Sequence, residues 1–116
     1  MDHNNRYLLS VPHNIDSLNE FPEGMLWEDV EFEDFEISAA DYDNLFDIFC
    51  QFNRAFDIFI DEYEEEEISA DKIQTAVKMT EDYARKAPAE AKASTEKLLS
   101  ALRRAADLDK PLELFF

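Results

Sequence analysis

Apolar and polar positions alternate in the first third of the chain and follow helical spacing in most of what comes after. Residues 1–24 are weakly patterned and read as a partly ordered arm. Within it, Tyr7-Leu8-Leu9-Ser10-Val11 is a short strand candidate ended by Pro12. Phe21-Pro22-Glu23-Gly24 reads as a turn. From Trp27 to Ile37 apolar residues interleave with acids, at Val30/Phe32 and again at Phe35/Ile37, the period of a half-buried strand. The two pairs differ in parity. A one-residue bulge near Glu33-Asp34 is expected to return both to one face.

Ser38-Ala39-Ala40-Asp41 is a capping-box start, with Asp41 in the place usually held by Glu or Gln. Tyr42, Leu45, Phe46, Phe49, Phe52 and Phe56 then form one apolar stripe, widened by Ile48 and Cys50, with Asp41, Asp43, Asn44 and Asp47 outside it. At helical spacing such a phenylalanine stripe reads as core rather than a ligand box. Residues 55–61 either extend this helix or begin a strand at Ile58 and Ile60. The run Asp61-Glu62-Tyr63-Glu64-Glu65-Glu66-Glu67 reads as a solvated loop, because adjacent carboxylates repel one another in a regular element.

Ser69-Ala70-Asp71-Lys72 signals a second helix, with Ile68 as its hydrophobic staple and Ile73, Ala76, Val77, Thr80, Tyr83 and Ala84 on the buried side. Ala87-Pro88 interrupts it, and a third helix runs to about Asp107 on Ala91, Thr95, Leu98, Leu99, Leu102 and Ala106. Asp109-Lys110-Pro111 turns into a terminal strand, Leu112 to Phe116. The expected fold is α+β. Three helices, near 39–56, 70–86 and 88–107, pack on a small sheet made of the 28–37 segment and the terminal strand, all in one domain spanning 1–116. The expected core includes Phe32, Phe46, Phe49, Phe52, Val77, Leu98 and Leu102.

Composition narrows the function. With 116 residues, 46% of them hydrophobic and 10 of them Phe, the chain can build a core despite its charge. The single glycine, Gly24, argues against loops that cradle phosphates on close backbone approach. One cysteine, Cys50, forms no internal disulfide. The apolar run near the N-terminus is too short for a signal-peptide core, and no stretch approaches a membrane span, so a cytoplasmic protein is expected.

The charge is unevenly placed. Residues 20–67 hold 18 acidic side chains and one basic one, Arg54, and so account for the whole net charge of −17; the rest of the chain holds ten of each sign. Such a stretch repels nucleic acid and anionic membranes and attracts basic partners. A surface kept acidic only for solubility is the competing explanation.

Candidate chemistry is sparse. His3 and His13 stand in no zinc-ligand frame and read as surface residues. Cys50 reads as a small core hydrophobe. Asp57, Asp61, Glu62 and Glu64 miss the spacing and the glycine of a calcium loop. No catalytic residue, metal or cofactor is expected, nor an enzyme.

The ensemble resembles small acidic immunity proteins of bacterial toxin systems. The resemblance rests on chain size, charge, the stretch Trp27 to Glu67, and the helix-turn-strand ending Asp107-Leu108-Asp109-Lys110-Pro111-Leu112-Glu113-Leu114-Phe115-Phe116. Phage-type DNA-mimic inhibitors are a second group of similar charge and size. The resemblance implies an inhibitor that binds a basic toxin such as a nuclease. It transfers no residue roles, because no motif aligns residue by residue. The charge pattern nominates Trp27, Glu31, Glu33, Asp43, Asp47, Asp61, Glu62, Tyr63 and Glu64 as partner-binding, with Trp27 and Tyr63 as aromatic anchors. The alternative is a structural or adaptor domain, monomeric or homodimeric, whose exposed terminal strand pairs with a second copy.

Overall fold

A computed structural model of the chain describes residues 7–116. His3 lies outside the described residues. The fold is α+β. Its sheet contains β1 (Tyr7–Pro12), β2 (Phe32–Ile37), β3 (Glu65–Ile68) and β4 (Leu112–Phe115), antiparallel throughout, in the order β2-β1-β4-β3. The helices are α1 (Ala39–Asn44), α2 (Phe46–Phe56), α3 (Ile73–Lys86) and α4 (Lys92–Leu108). They pack on one face of the sheet, where Leu9, Val11, Ile37, Ile68, Leu112 and Leu114 meet Leu45, Ile48, Phe49, Phe52, Ile73, Leu98 and Leu102.

Three strand expectations change. β1 lies inside the sheet, between β2 and β4, so the N-terminal segment from Tyr7 is a structural element. β4 is interior too, and its edges are occupied by β1 and β3. The terminal strand therefore offers no open edge to a second copy. The glutamate run does not remain a loop, because Glu65–Ile68 pairs with β4 in the register Glu65↔Phe115 to Ile68↔Leu112. Backbone bonding to an apolar neighbour strand, with Ile68 anchored in the core, outweighs repulsion among its side chains.

The Glu33-Asp34 bulge is absent. β2 pairs with β1 without interruption from Tyr7↔Ile37 to Pro12↔Phe32. Phe35 and Ile37 face the helices, and Phe32 faces the other way. Trp27–Asp29 is a 3-10 turn rather than strand. The two parities thus serve two faces.

The first helix breaks at Leu45, whose φ of −99° and ψ of 4° fall outside the helical range. The break rephases the stripe. Leu45, Ile48, Phe49, Phe52 and Phe56 are buried, while Phe46, expected in the core, is 51% exposed. Val77 is partly buried against the core. Asp41 turns inward. The capping box forms, with Ser38 Oγ accepting from Asp41 N and Asp41 Oδ2 accepting from Ser38 N, each at 3.0 Å. Asp41 also accepts from Ser94 Oγ at 2.6 Å and Lys97 Nζ at 2.7 Å, which ties α1 to α4. Burial pushes its carboxyl up, but Lys97, the Ser38 N–H and the Ser94 and Ser38 hydroxyls outweigh it and hold the group down at about 2.

With one glycine in the chain, helix ends use aspartate. Asp57 (φ 56°) and Asp109 (φ 57°) occupy the left-handed region after α2 and α4. After α4, Asp109 N donates to Ala106 O and Lys110 N to Ala105 O, the Schellman pattern. After α2, Asn53 brackets Ile60 through both its N–H and its carbonyl, so residues 58–60 neither extend the helix nor form a strand. Gly24 (φ 83°) takes the third position of the Pro22–Met25 turn, where a side chain is disfavoured.

Candidate functional site

The sheet face opposite the helices carries the unusual chemistry. Strand alternation and register place Asp34 (β2), Ser10 (β1), Glu113 (β4) and Glu67 (β3) in one row across all four strands. Ser10, Glu67 and Glu113 are buried. Ser10 Oγ donates to Asp34 Oδ1 at 2.6 Å.

What buries them is the β1–β2 connection, which folds across this face. Lys110 Nζ fastens it by donating to Ile15 O at 3.1 Å and Asp16 Oδ1 at 3.2 Å. Ser17 Oγ and Asn19 Nδ2 donate to Glu67 at 2.8 and 3.0 Å. Trp27 then settles on Phe32 and Phe115, with ring centroids 5.8 and 6.2 Å apart, and Phe21 stacks on it at 6.5 Å. Phe32 and Phe115 meet edge to face at 5.7 Å. Trp27 nevertheless stays 55% exposed, beside Leu26 at 58%.

Glu113 is 3% exposed and lies against Glu67. Burial pushes its carboxyl up to about 10, and a hydrogen bond to Glu67 and the Glu67 charge add to this, against the Leu18 N–H. At neutral pH it is a carboxylic acid. Its Oε2 has no hydrogen-bond partner among the described residues. A cavity of about 130 Å³ opens here, lined by Leu18, Asn19, Glu65, Glu66, Glu67, Glu113 and Phe115.

No protein-family model, curated protein or solved structure matches this chain.

The nominated residues fall into separate places. Trp27 is on the outer face. Glu33 is on the helix side of β2, where it accepts from Arg104 Nε at 2.8 Å and contacts His13 at 3.0 Å. Those contacts, Arg104 foremost, hold its carboxyl below the usual range. Glu31 is exposed just before β2. Asp43 and Asp47 are exposed on α1 and α2.

Asp61, Glu62, Tyr63 and Glu64 form the turn before β3. Glu62 faces inward and accepts from Tyr7 Oη at 2.5 Å. That bond, with burial, pushes the Tyr7 phenol up to about 12. Tyr63, at φ 69°, is 80% exposed, and Glu64 is exposed beside it. Trp27 and Glu33 are thus on opposite faces.

Sequence reading missed Ser10, Ser17, Asn19, Asp34, Glu67 and Glu113. Leu112-Glu113-Leu114 alternates as a strand does, and by that pattern alone Glu113 does not differ from an ordinary solvent-facing acid. Among the described residues no group of His, Cys, Asp and Glu is arranged to hold a metal ion. No helix there is long and apolar enough to cross a membrane. Cys50 is half-buried on α2.

Proposed function

We propose that this chain is a non-catalytic binding protein whose outer sheet face engages a basic protein. The observation that supports this reading most strongly is Trp27, half exposed on an aromatic base of Phe32 and Phe115 and flanked by acids. Asp34 shares the face with Phe32, and Glu65 is directly opposite Phe115 in the register. A central aromatic anchor supplies affinity, while surrounding charge speeds encounter and selects partners of the opposite sign. The basic side chains Lys78, Arg85, Lys92 and Arg103 belong to α3 and α4, in the layer behind the sheet.

In the finer form of the reading, the partner is a toxin such as a nuclease and the chain is its cytoplasmic immunity protein. Carboxylates then occupy sites that otherwise hold substrate phosphates. The test is capture at low salt from the producing cells, identification of the partner, and association rates of the reconstituted complex at two salt concentrations. Trp27→Ala is expected to raise Kd at least about tenfold. Asp34→Lys and Glu65→Lys should slow association and flatten its salt dependence, and Lys92→Glu should do neither. Equal effects from both charge groups would sink the reading.

One observation favours the alternative of a structural domain whose acids serve solubility. Both edge strands are acidic, Phe32-Glu33-Asp34-Phe35-Glu36-Ile37 and Glu65-Glu66-Glu67-Ile68, and edge charge discourages strand-to-strand aggregation.

A further inference from the structure

The cavity beneath the β1–β2 connection is unlike the rest of the acidic surface. It is lined by Glu113, 3% exposed, with one carboxyl oxygen lacking a hydrogen-bond partner among the described residues. One wall is Glu67, whose carboxylate is fixed by Ser17 and Asn19. Phe115 also lines it. At about 130 Å³ it is well below the roughly 300 Å³ at which small-molecule sites begin, so it suits one side-chain head group. Among the described residues no basic side chain lines it.

We infer that this cavity receives one arginine side chain of the basic partner. The inference rests on the reading above and names the contact at its centre. A guanidinium presents a planar fork of donors, suited to two neighbouring carboxyl groups, and its face stacks on an aromatic ring. Glu67 and Phe115 supply two of these features. Glu113 adds a buried carboxyl whose Oε2 has no hydrogen-bond partner among the described residues. Trp27, in contact with Phe115, puts the cavity beside the aromatic anchor, so one partner segment spans both.

Entry of the cation has a proton balance. In the free protein Glu113 holds a proton, because burial and the adjoining Glu67 disfavour a second negative charge. The groups on its side of the sheet are Glu67 and Glu65 from β3, with Asp34 along the same row beyond Ser10, and the uncharged Leu18 and Asn19 from the connection, with Ser17 on Glu67. None is cationic. When the guanidinium binds, Glu113 loses its proton to solvent and a neutral acid becomes one half of an ion pair. One proton is released per side chain bound, so affinity should strengthen about tenfold per pH unit across the neutral range.

The experiment uses the full chain and the side-chain carboxyl carbon resonances of its glutamates. N-acetyl-arginine amide is titrated at pH 7 and pH 8, with sodium chloride at equal ionic strength as control. The expected result is that the Glu113 resonance starts as the acid and moves to the carboxylate with the arginine probe but not with salt. The apparent Kd should be about tenfold lower at the higher pH. Glu113→Gln, an isostere of the acid form, should keep the fold and abolish the response of the Asn19 amide to the probe. A Glu113 resonance that stays acid, or moves equally with salt, overturns the inference. So does an unchanged Asn19 response in Glu113→Gln. If Glu113 is silent but Trp27→Ala still weakens the partner complex, the pocket alone fails. If neither responds, the parent reading fails with it.

Discussion

The two faces of the sheet use the same strands and obey opposite rules. On the helix face, Leu9, Val11, Ile37, Ile68, Leu112 and Leu114 are all at most 2% exposed and carry no polar side-chain atom. Their stabilisation is area removed from water and close packing, which requires no particular partner. On the opposite face, one residue along from Leu112 and Leu114, Glu113 is equally hidden beside Glu67 and Ser10. Burial there imposes a cost, met by hydrogen bonds from Ser17 and Asn19 and by a retained proton on Glu113. Comparable burial thus has two meanings. On one face it reflects stability, and on the other it marks a place where the protein tolerates unfavourable chemistry, as binding sites do.

The contrast can be broken most severely from the helix side. Phe49→Ala removes a ring that is 1% exposed and should cost about 3–5 kcal/mol in urea unfolding. A loss within error would mean that the core beneath the sheet relaxes around the hole. On the outer face the signature is pH. Glu113 is raised from the ordinary 4.5 to about 10 in the folded state, so the native protein holds a proton that the unfolded chain has lost. Stability therefore falls as pH rises between these values, by up to about 1.4 kcal/mol per unit from this group. The difference in pH slope between the native protein and Glu113→Gln isolates it, and equal slopes would contradict the buried acid.

Asp41 should show the opposite sign. Held down at about 2 against an ordinary 3.8, it stabilises the fold above the ordinary value and loses that contribution as pH falls toward 2. Asp41→Asn should cost about 1–2 kcal/mol at pH 7 and progressively less as pH falls toward 2. The smallest effect on folding is expected from Trp27→Ala. Its ring is half in solvent and should contribute about 1 kcal/mol or less to stability through Phe32 and Phe115. A larger loss would make Trp27 a structural lid rather than an exposed anchor.

Local patterns made much of the scaffold legible. The Ser38–Asp41 capping box, the stop at Ala87-Pro88, the turn at Asp109 and the stripe through Leu98 and Leu102 are all where adjacent residues put them. These features depend on neighbours within about one helical turn, so the chain encodes them without long-range help. The parity change at Glu33-Asp34 was legible too, but its interpretation required the second face. Repulsion among Glu64–Glu67 suggested a loop, and only pairing with β4 shows why a strand forms there.

The sequence by itself determined the helical segments apart from the break at Leu45, the strands other than β3, most of the apolar face that must be buried, and the concentration of negative charge in residues 20–67. Tertiary structure alone decided which strand neighbours which, and hence that Asp34, Ser10, Glu113 and Glu67 align in one row. It also decided that a connection from the weakly patterned arm would fold over that row, bringing Ser17 to Glu67 across 50 positions of the chain. Strand alternation specifies two faces but not what covers the second. The cover depends on long-range closure, and from closure follow the desolvation of Glu113, its proton and its cavity.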